Sequence, residues 1–157
     1  MSAQLIKEVK TKFIKIFKTT PILVFSPGRI NIIGEHTDYN GGFVFPAAVD
    51  KGIVAAIQKS DTSGCKAIAL DLDSVIEFEL DTLKPSKEGS WENYVFGVVS
   101  EIQNRNKVIS DFNILFKGNI PGGAGMSSSA ALENSVVFGL NELFDLGLTK
   151  TEMILIS

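Results

Sequence analysis

The chain has 157 residues, 45% of them hydrophobic and 21% charged, with a formal net charge of −3. These are ordinary globular values, and one domain of this length can bury on the order of 70% of its unfolded surface. A mildly acidic balance, a single cysteine (Cys65) and no long apolar run argue against nucleic-acid partners, disulfides, thiolate metal clusters and membrane spans, and lead to the expectation of a cytoplasmic protein.

Leu5, Val9, Phe13 and Ile16-Phe17 recur at helical spacing, and Thr19-Thr20-Pro21 ends the pattern. The lysines of this stretch would also suit a transit peptide or a membrane-surface helix. Glu8, the absence of arginine and the lack of a small-residue cleavage site favour a packed amphipathic helix instead. Apolar strand segments at 22–25, 30–33 and 43–45 then surround a dense polar insert. Shorter apolar runs at 53–57 and 67–70, and the alternation of 75–80, read as further strands. Trp91, Tyr94-Val95, Val98-Val99 and Ile102 form a helical stripe. A strand over 111–116 leads into a glycine-rich loop, and a helix follows to about Phe144. Thr149-Lys150-Thr151-Glu152 is a capping box announcing a helix through Met153 to Ile156. Its apolar face needs a partner, so the expectation is the front part of a longer protein, with that face exposed. The pattern as a whole predicts an α+β fold, a mixed sheet with packed helices.

Two segments carry chemistry. Asn119-Ile120-Pro121-Gly122-Gly123-Ala124-Gly125-Met126-Ser127-Ser128-Ser129-Ala130 leaves a strand and opens a helix with a row of hydroxyls. Free N–H groups and the positive dipole end make a helix N-terminus an anion site. Glycines remove the Cβ atoms that would keep a phosphate from the backbone. No lysine precedes the serines, so this is not a Walker A loop. The plainer alternative is a Gly/Ser-rich connection with an ordinary serine N-cap.

The other segment is Ser26-Pro27-Gly28-Arg29-Ile30-Asn31-Ile32-Ile33-Gly34-Glu35-His36-Thr37-Asp38-Tyr39-Asn40-Gly41-Gly42. Each part has a structural reading: Asn40-Gly41-Gly42 is a hairpin signal and Thr37-Asp38 suits an Asx turn. Together Arg29, Glu35, His36 and Asp38 supply charged donors and acceptors for the hydroxyls of one small polar ligand.

Here the chain resembles a known family. Gly28-Arg29-x-Asn31-x-Ile33-Gly34-Glu35-His36-x-Asp38-Tyr39 matches the galactokinase signature, and Pro121 to Leu132 matches the ATP-binding motif of the wider GHMP kinases. The family's usual Gly-Leu-Ser-Ser-Ser-Ala is here Gly125-Met126-Ser127-Ser128-Ser129-Ala130, a mild aliphatic swap. Trp91-Glu92-Asn93-Tyr94-Val95-x-Gly97-Val98 is similar to a third galactokinase segment, so the likeness runs from about Phe25 to the C-terminus.

The resemblance implies a GHMP-kinase N-terminal domain over residues 1–157, using ATP and Mg²⁺ to phosphorylate galactose at its anomeric hydroxyl. By the same token, Gly123, Ala124, Gly125, Met126, Ser127, Ser128 and Ser129 would cradle the triphosphate, with Ser129 also contacting Mg²⁺. Arg29 would stabilise the transferring phosphoryl group. Glu35, His36, Thr37 and Asp38 would bind the sugar. Trp91 is a core residue by periodicity, whereas the resemblance places it beside adenine. The family's general-base Asp, a Mg²⁺-holding Glu and a sugar-binding Tyr belong to later motifs that do not occur here. The implied partner is therefore the chain's own C-terminal domain, and these residues alone are expected to be inactive. An N-acetylgalactosamine kinase, a sugar-and-ATP sensor and a ligand-free structural domain are the rival readings.

Overall fold

The computed structural model describes residues 3–34, 40–121 and 125–157. Among the described residues, a mixed five-stranded sheet lies between one helix on one face and three on the other. In chain order the elements are α1 (Ala3–Phe17), β1 (Ile22–Ile33), β2 (Phe45–Lys59), β3 (Cys65–Ala69), β4 (Ser74–Phe78), α2 (Glu92–Asn104), β5 (Phe112–Gly118), α3 (Ser128–Phe144) and α4 (Lys150–Ile156), with a 3₁₀ turn at Leu80–Thr82. The strand order is β1-β2-β5-β3-β4. Only β3 and β5 run parallel; the remaining neighbours are antiparallel.

The central strands explain the layering. Residues 52–57 of β2 are buried without interruption, as expected of a strand covered on both faces. Side chains alternate along a strand, so Ile53, Ala55 and Ile57 join the larger core with α2, α3 and α4. Val54 and Ala56 meet Leu5, Val9 and Phe13 of α1 in the smaller core. The i, i+4, i+8 stripe of α1 is therefore buried as its spacing predicts, while Ile16 is left exposed. Lys117 of β5 donates to Glu8 of α1 at 2.6 Å, a partly exposed pair worth about 0–1 kcal/mol.

In α2, Val95, Val98, Val99 and Ile102 are buried, and Trp91 and Tyr94 are half-buried against the same core. The capping box forms: Thr149 accepts from the Glu152 N–H, and the Glu152 carboxylate accepts from the Thr149 N–H at 2.7 Å. One expectation is corrected here. Met153 and Ile156 point into the core, so only Ile154 and Leu155 of that helix are exposed among its large apolar residues.

β1 and β2 are longer than the apolar runs suggest, whereas β4 stops at Phe78 and Phe43-Val44 lie outside any strand. β1 passes through Ser26-Pro27-Gly28 without ending, shifting register between Pro27 and Arg29. It lies at the sheet edge, where a proline lacking an N–H is tolerated. β2 starts at Phe45 and runs back along β1. Residues 40–44, including Asn40 and Gly41, precede β2 outside any strand. The single thiol, Cys65, is almost wholly buried, and that burial pushes its pKa up to about 12, leaving it neutral and unreactive at physiological pH.

Candidate functional site

β5 runs toward the same end of the sheet as the C-terminal half of β1, because both are antiparallel to β2. The two chemistry-bearing segments therefore meet. The Arg29 N–H donates to the Met126 carbonyl at 3.1 Å, and Arg29 Nη2 donates to Ser127 Oγ at 3.3 Å. A Cβ at Gly28 would stand 2.8 Å from the Met126 carbonyl oxygen and 3.2 Å from Ile120 Cδ1. Glycine is required at that position because the loop crosses β1 there in backbone contact.

The plainer reading of the loop, an ordinary serine N-cap, does not hold. An N-cap residue takes an extended conformation and its oxygen accepts from the first turn. Ser127 instead sits at φ 51, ψ 58 and makes no side-chain cap bond. Left-handed geometry in a non-glycine residue costs roughly 1–3 kcal/mol and persists where surrounding structure imposes it. Gly125 is also left-handed, at φ 64, with open space where a Cβ would project. Two such turns within three residues bring the chain around to open α3 at Ser128. The first-turn N–H groups have no intrahelical acceptor, and the Ser127 hydroxyl faces a guanidinium. This is a positively biased helix end suited to phosphate, and it fits the triphosphate and Mg²⁺ that the motif implies. Ser128 is exposed and Ser129 half-exposed in that first turn, so the hydroxyls there are open to a ligand.

Trp91 lies at the same end of the sheet. Its Nε1 donates to Ser74 Oγ at 3.2 Å, and its ring packs edge-on against Phe116 at 5.3 Å. It is thus a core-edge residue as its periodicity predicts, two residues before the end of β5. Among the predicted site residues, Arg29, Gly125, Met126, Ser127, Ser128 and Ser129 are brought together. Glu35, His36, Thr37 and Asp38, and Gly123 and Ala124 of the loop, lie outside the described residues.

Three further residues carry weight that the sequence reading did not assign. Asn31 follows Arg29 at the spacing that shares one strand face, and its Oδ1 is buried without a hydrogen-bond partner. Asn119 bonds twice to Gly52 where the loop begins. Glu133, in α3, is half-buried, and burial raises its carboxyl pKa. An acid held above its unfolded pKa stabilises the fold only while protonated; that contribution is lost as pH rises through the window from the unfolded to the folded value. Glu133→Gln should therefore raise the melting temperature at pH 7 by no more than about 2 °C. The gain should vanish below about pH 4, where the parent carboxyl is protonated in both states. Thermal melts of the two proteins at both pH values check this; an equal gain at both would remove the carboxyl's charge from the explanation.

Comparison with known proteins agrees with this geometry. The galactokinase galactose-binding signature matches residues 11–59, and the GHMP kinases N terminal domain matches residues 93–157. A galactokinase of Clostridium perfringens is 45% identical over 152 residues, covering 94% of this chain and 39% of that relative. A galactokinase of Fusobacterium nucleatum is 45% identical over 159 residues, covering 98% of this chain and 40% of the relative. The crystal structure of Lactococcus lactis galactokinase complexed with galactose superposes with a TM-score of 0.86 at 38% identity, covering 96% of this chain and 40% of that one. Methanococcus jannaschii mevalonate kinase, 17% identical with a TM-score of 0.76 over 88% of this chain and 45% of that one, shares the fold. The chain thus spans about two fifths of the length of the curated relatives it matches. With the galactose-binding signature and the GHMP loop meeting at one end of the sheet, and with this identity along nearly every residue, the chain belongs to the galactokinase family of GHMP kinases and corresponds to its N-terminal portion.

Proposed function

We propose that this chain supplies the nucleotide loop and part of the sugar pocket of an ATP-dependent galactokinase. The reaction is transfer of the γ-phosphoryl group to the anomeric hydroxyl of galactose. The observation that carries it is the junction of Arg29 with Met126 and Ser127, which joins the sugar-kinase signature to the phosphate loop. The galactokinase solved with galactose supports the choice of sugar.

In such transfers the protein chiefly positions the reactants and offsets charge. The backbone of residues 123–129 and the opening of α3 bind the phosphates and orient them. Mg²⁺, when bound, neutralises charge between the phosphates, and Ser129 Oγ is the group here that would hold it. Arg29 holds Ser127 through one donor and keeps further N–H groups for the transferring phosphoryl oxygens. Glu35, His36, Thr37 and Asp38 fix the sugar hydroxyls, and a site built on such bonds rejects analogues that leave its polar groups unpaired. Trp91, half-buried at the edge of the core, borders adenine. The proton-accepting base comes from sequence outside this chain, so the 157 residues bind substrates without turning them over.

Phosphorus NMR with Mg-ATP and either galactose or N-acetylgalactosamine tests the reading. The full-length protein should accumulate galactose 1-phosphate, and the 157-residue chain should not. Catalytic product from the short chain would place the base within it; preference for the N-acetyl sugar would change the substrate. Asp38→Ala in the full-length enzyme should raise the galactose KM at least tenfold while the ATP KM changes less than twofold, on the scale of lost hydrogen bonds to a charged group. Equal changes in both constants would remove Asp38 from the sugar subsite.

A further inference from the structure

We propose that Asn119 is a positioning residue for the nucleotide, because its side chain decides where the phosphate loop leaves the sheet. The inference rests on the nucleotide-loop reading above. In the β2–β5 ladder the last register pair is Ile53 with Gly118. The next pair would be Gly52 with residue 119, each backbone N–H donating to the other's carbonyl. Half of that exchange is present: the Asn119 N–H donates to the Gly52 carbonyl at 3.0 Å. The other half is replaced. The Gly52 N–H donates at 2.8 Å to Asn119 Oδ1, the side-chain oxygen. The amide side chain stands in for its own main-chain carbonyl, which is thereby released from the ladder. β5 ends, and the backbone departs into the loop with no ladder donor left unsatisfied.

The surroundings hold this departure point firmly. Gly52 is buried, and it pairs across the sheet with Pro27. The Gly118 N–H is taken by Asp71 Oδ2 at 3.1 Å. The far end of the loop is tied to Arg29 through Met126 and Ser127. Both ends of the loop are thus fastened within two positions of the Pro27–Gly52 pair, one on β2 and one on β1. Without the Asn119 amide, the Gly52 N–H would either lose its partner or capture the main-chain carbonyl of residue 119. Capture would lengthen β5 by one residue and pull the loop toward the sheet. The spacing between this departure point and the α3 opening, which Arg29 fixes independently, would then change. Phosphate binding depends on both.

The test is Asn119→Ala in the full-length protein, with steady-state constants measured for ATP and galactose separately. The ATP KM should rise on the order of tenfold to a hundredfold, the scale of about 1 Å of misplacement, while the galactose KM stays within twofold. An unchanged ATP KM, or equal rises in both constants, overturns the assignment. Asn119→Asp keeps the acceptor for Gly52 and guards against loss of folding in the alanine variant. Its ATP KM should stay within about threefold of the parent's, whereas a rise matching that of Asn119→Leu, which keeps the branched shape but has no acceptor, overturns the assignment. If the parent protein fails to bind ATP, the nucleotide reading fails; if the parent binds and Asn119→Ala binds equally well, only the role of Asn119 fails.

Discussion

Arg29→Ala in the full-length enzyme is expected to lower kcat by about 10³–10⁵, the range that charge-stabilising arginines contribute in phosphoryl transfer, with the galactose KM changed only a few-fold. The geometry separates the side chain from the scaffold. The Arg29 main-chain N–H holds Met126 at 3.1 Å, and alanine keeps that bond, so the loop remains attached to β1. What disappears is the guanidinium beside Ser127, which is proposed above to offset charge on the transferring phosphoryl group. A loss confined to kcat is the mark of an interaction made in the transition state. Lysine should recover little, since a point charge lacks the planar fork of donors. Steady-state kinetics with both substrates varied give the answer; a collapse of sugar binding with kcat preserved would move Arg29 into the sugar shell.

Gly52→Ala should be among the most damaging single substitutions for stability. Its Cβ would collide with the Ser26 carbonyl oxygen and lie 2.7 Å from the Phe25 ring. The ring can turn, but the carbonyl belongs to the β1–β2 ladder, where Ser26 pairs with Ile53. Relief therefore requires the strands to part. Overpacking a core costs typically about 1–3 kcal/mol and more when backbone must move, so a loss of roughly 3 kcal/mol or above is expected. Urea unfolding should show a lower midpoint at an unchanged slope, or the variant should be recovered only as aggregate. A midpoint within about 0.5 kcal/mol of the parent's stability, the usual range of surface changes, would mean that the two strands yield at this point.

Local features were legible in the sequence, and long-range ones were not. The Leu5-Val9-Phe13 stripe, the α2 stripe and the Thr149–Glu152 capping box each depend on residues within a turn or two of one another, and each forms. The glycine- and serine-rich connection from β5 to α3 was likewise visible in the sequence. The continuity of β1 through Pro27 was hidden, because it follows from an edge position fixed by the whole sheet. The Arg29–Ser127 bond spans 98 positions and has no local sign. The left-handed Ser127 looks in sequence like the commonest of N-caps, and only its meeting with Arg29 gives the hydroxyl a different use. Asn119 stood in plain view within the loop, yet its importance arises from Gly52, 67 positions earlier.

The first helix carries a consequence for synthesis. α1 packs on Val54, Ala56 and Leu115, and its Glu8 is paired with Lys117, 109 residues later. At a ribosomal rate of about 5–20 residues per second, this helix waits roughly 5–20 seconds for the strand that completes its seat. Throughout that interval Leu5, Val9 and Phe13 form an apolar stripe on an unfinished nascent chain. The stripe of α1 is thus a surface that stays unburied until β5 has been translated.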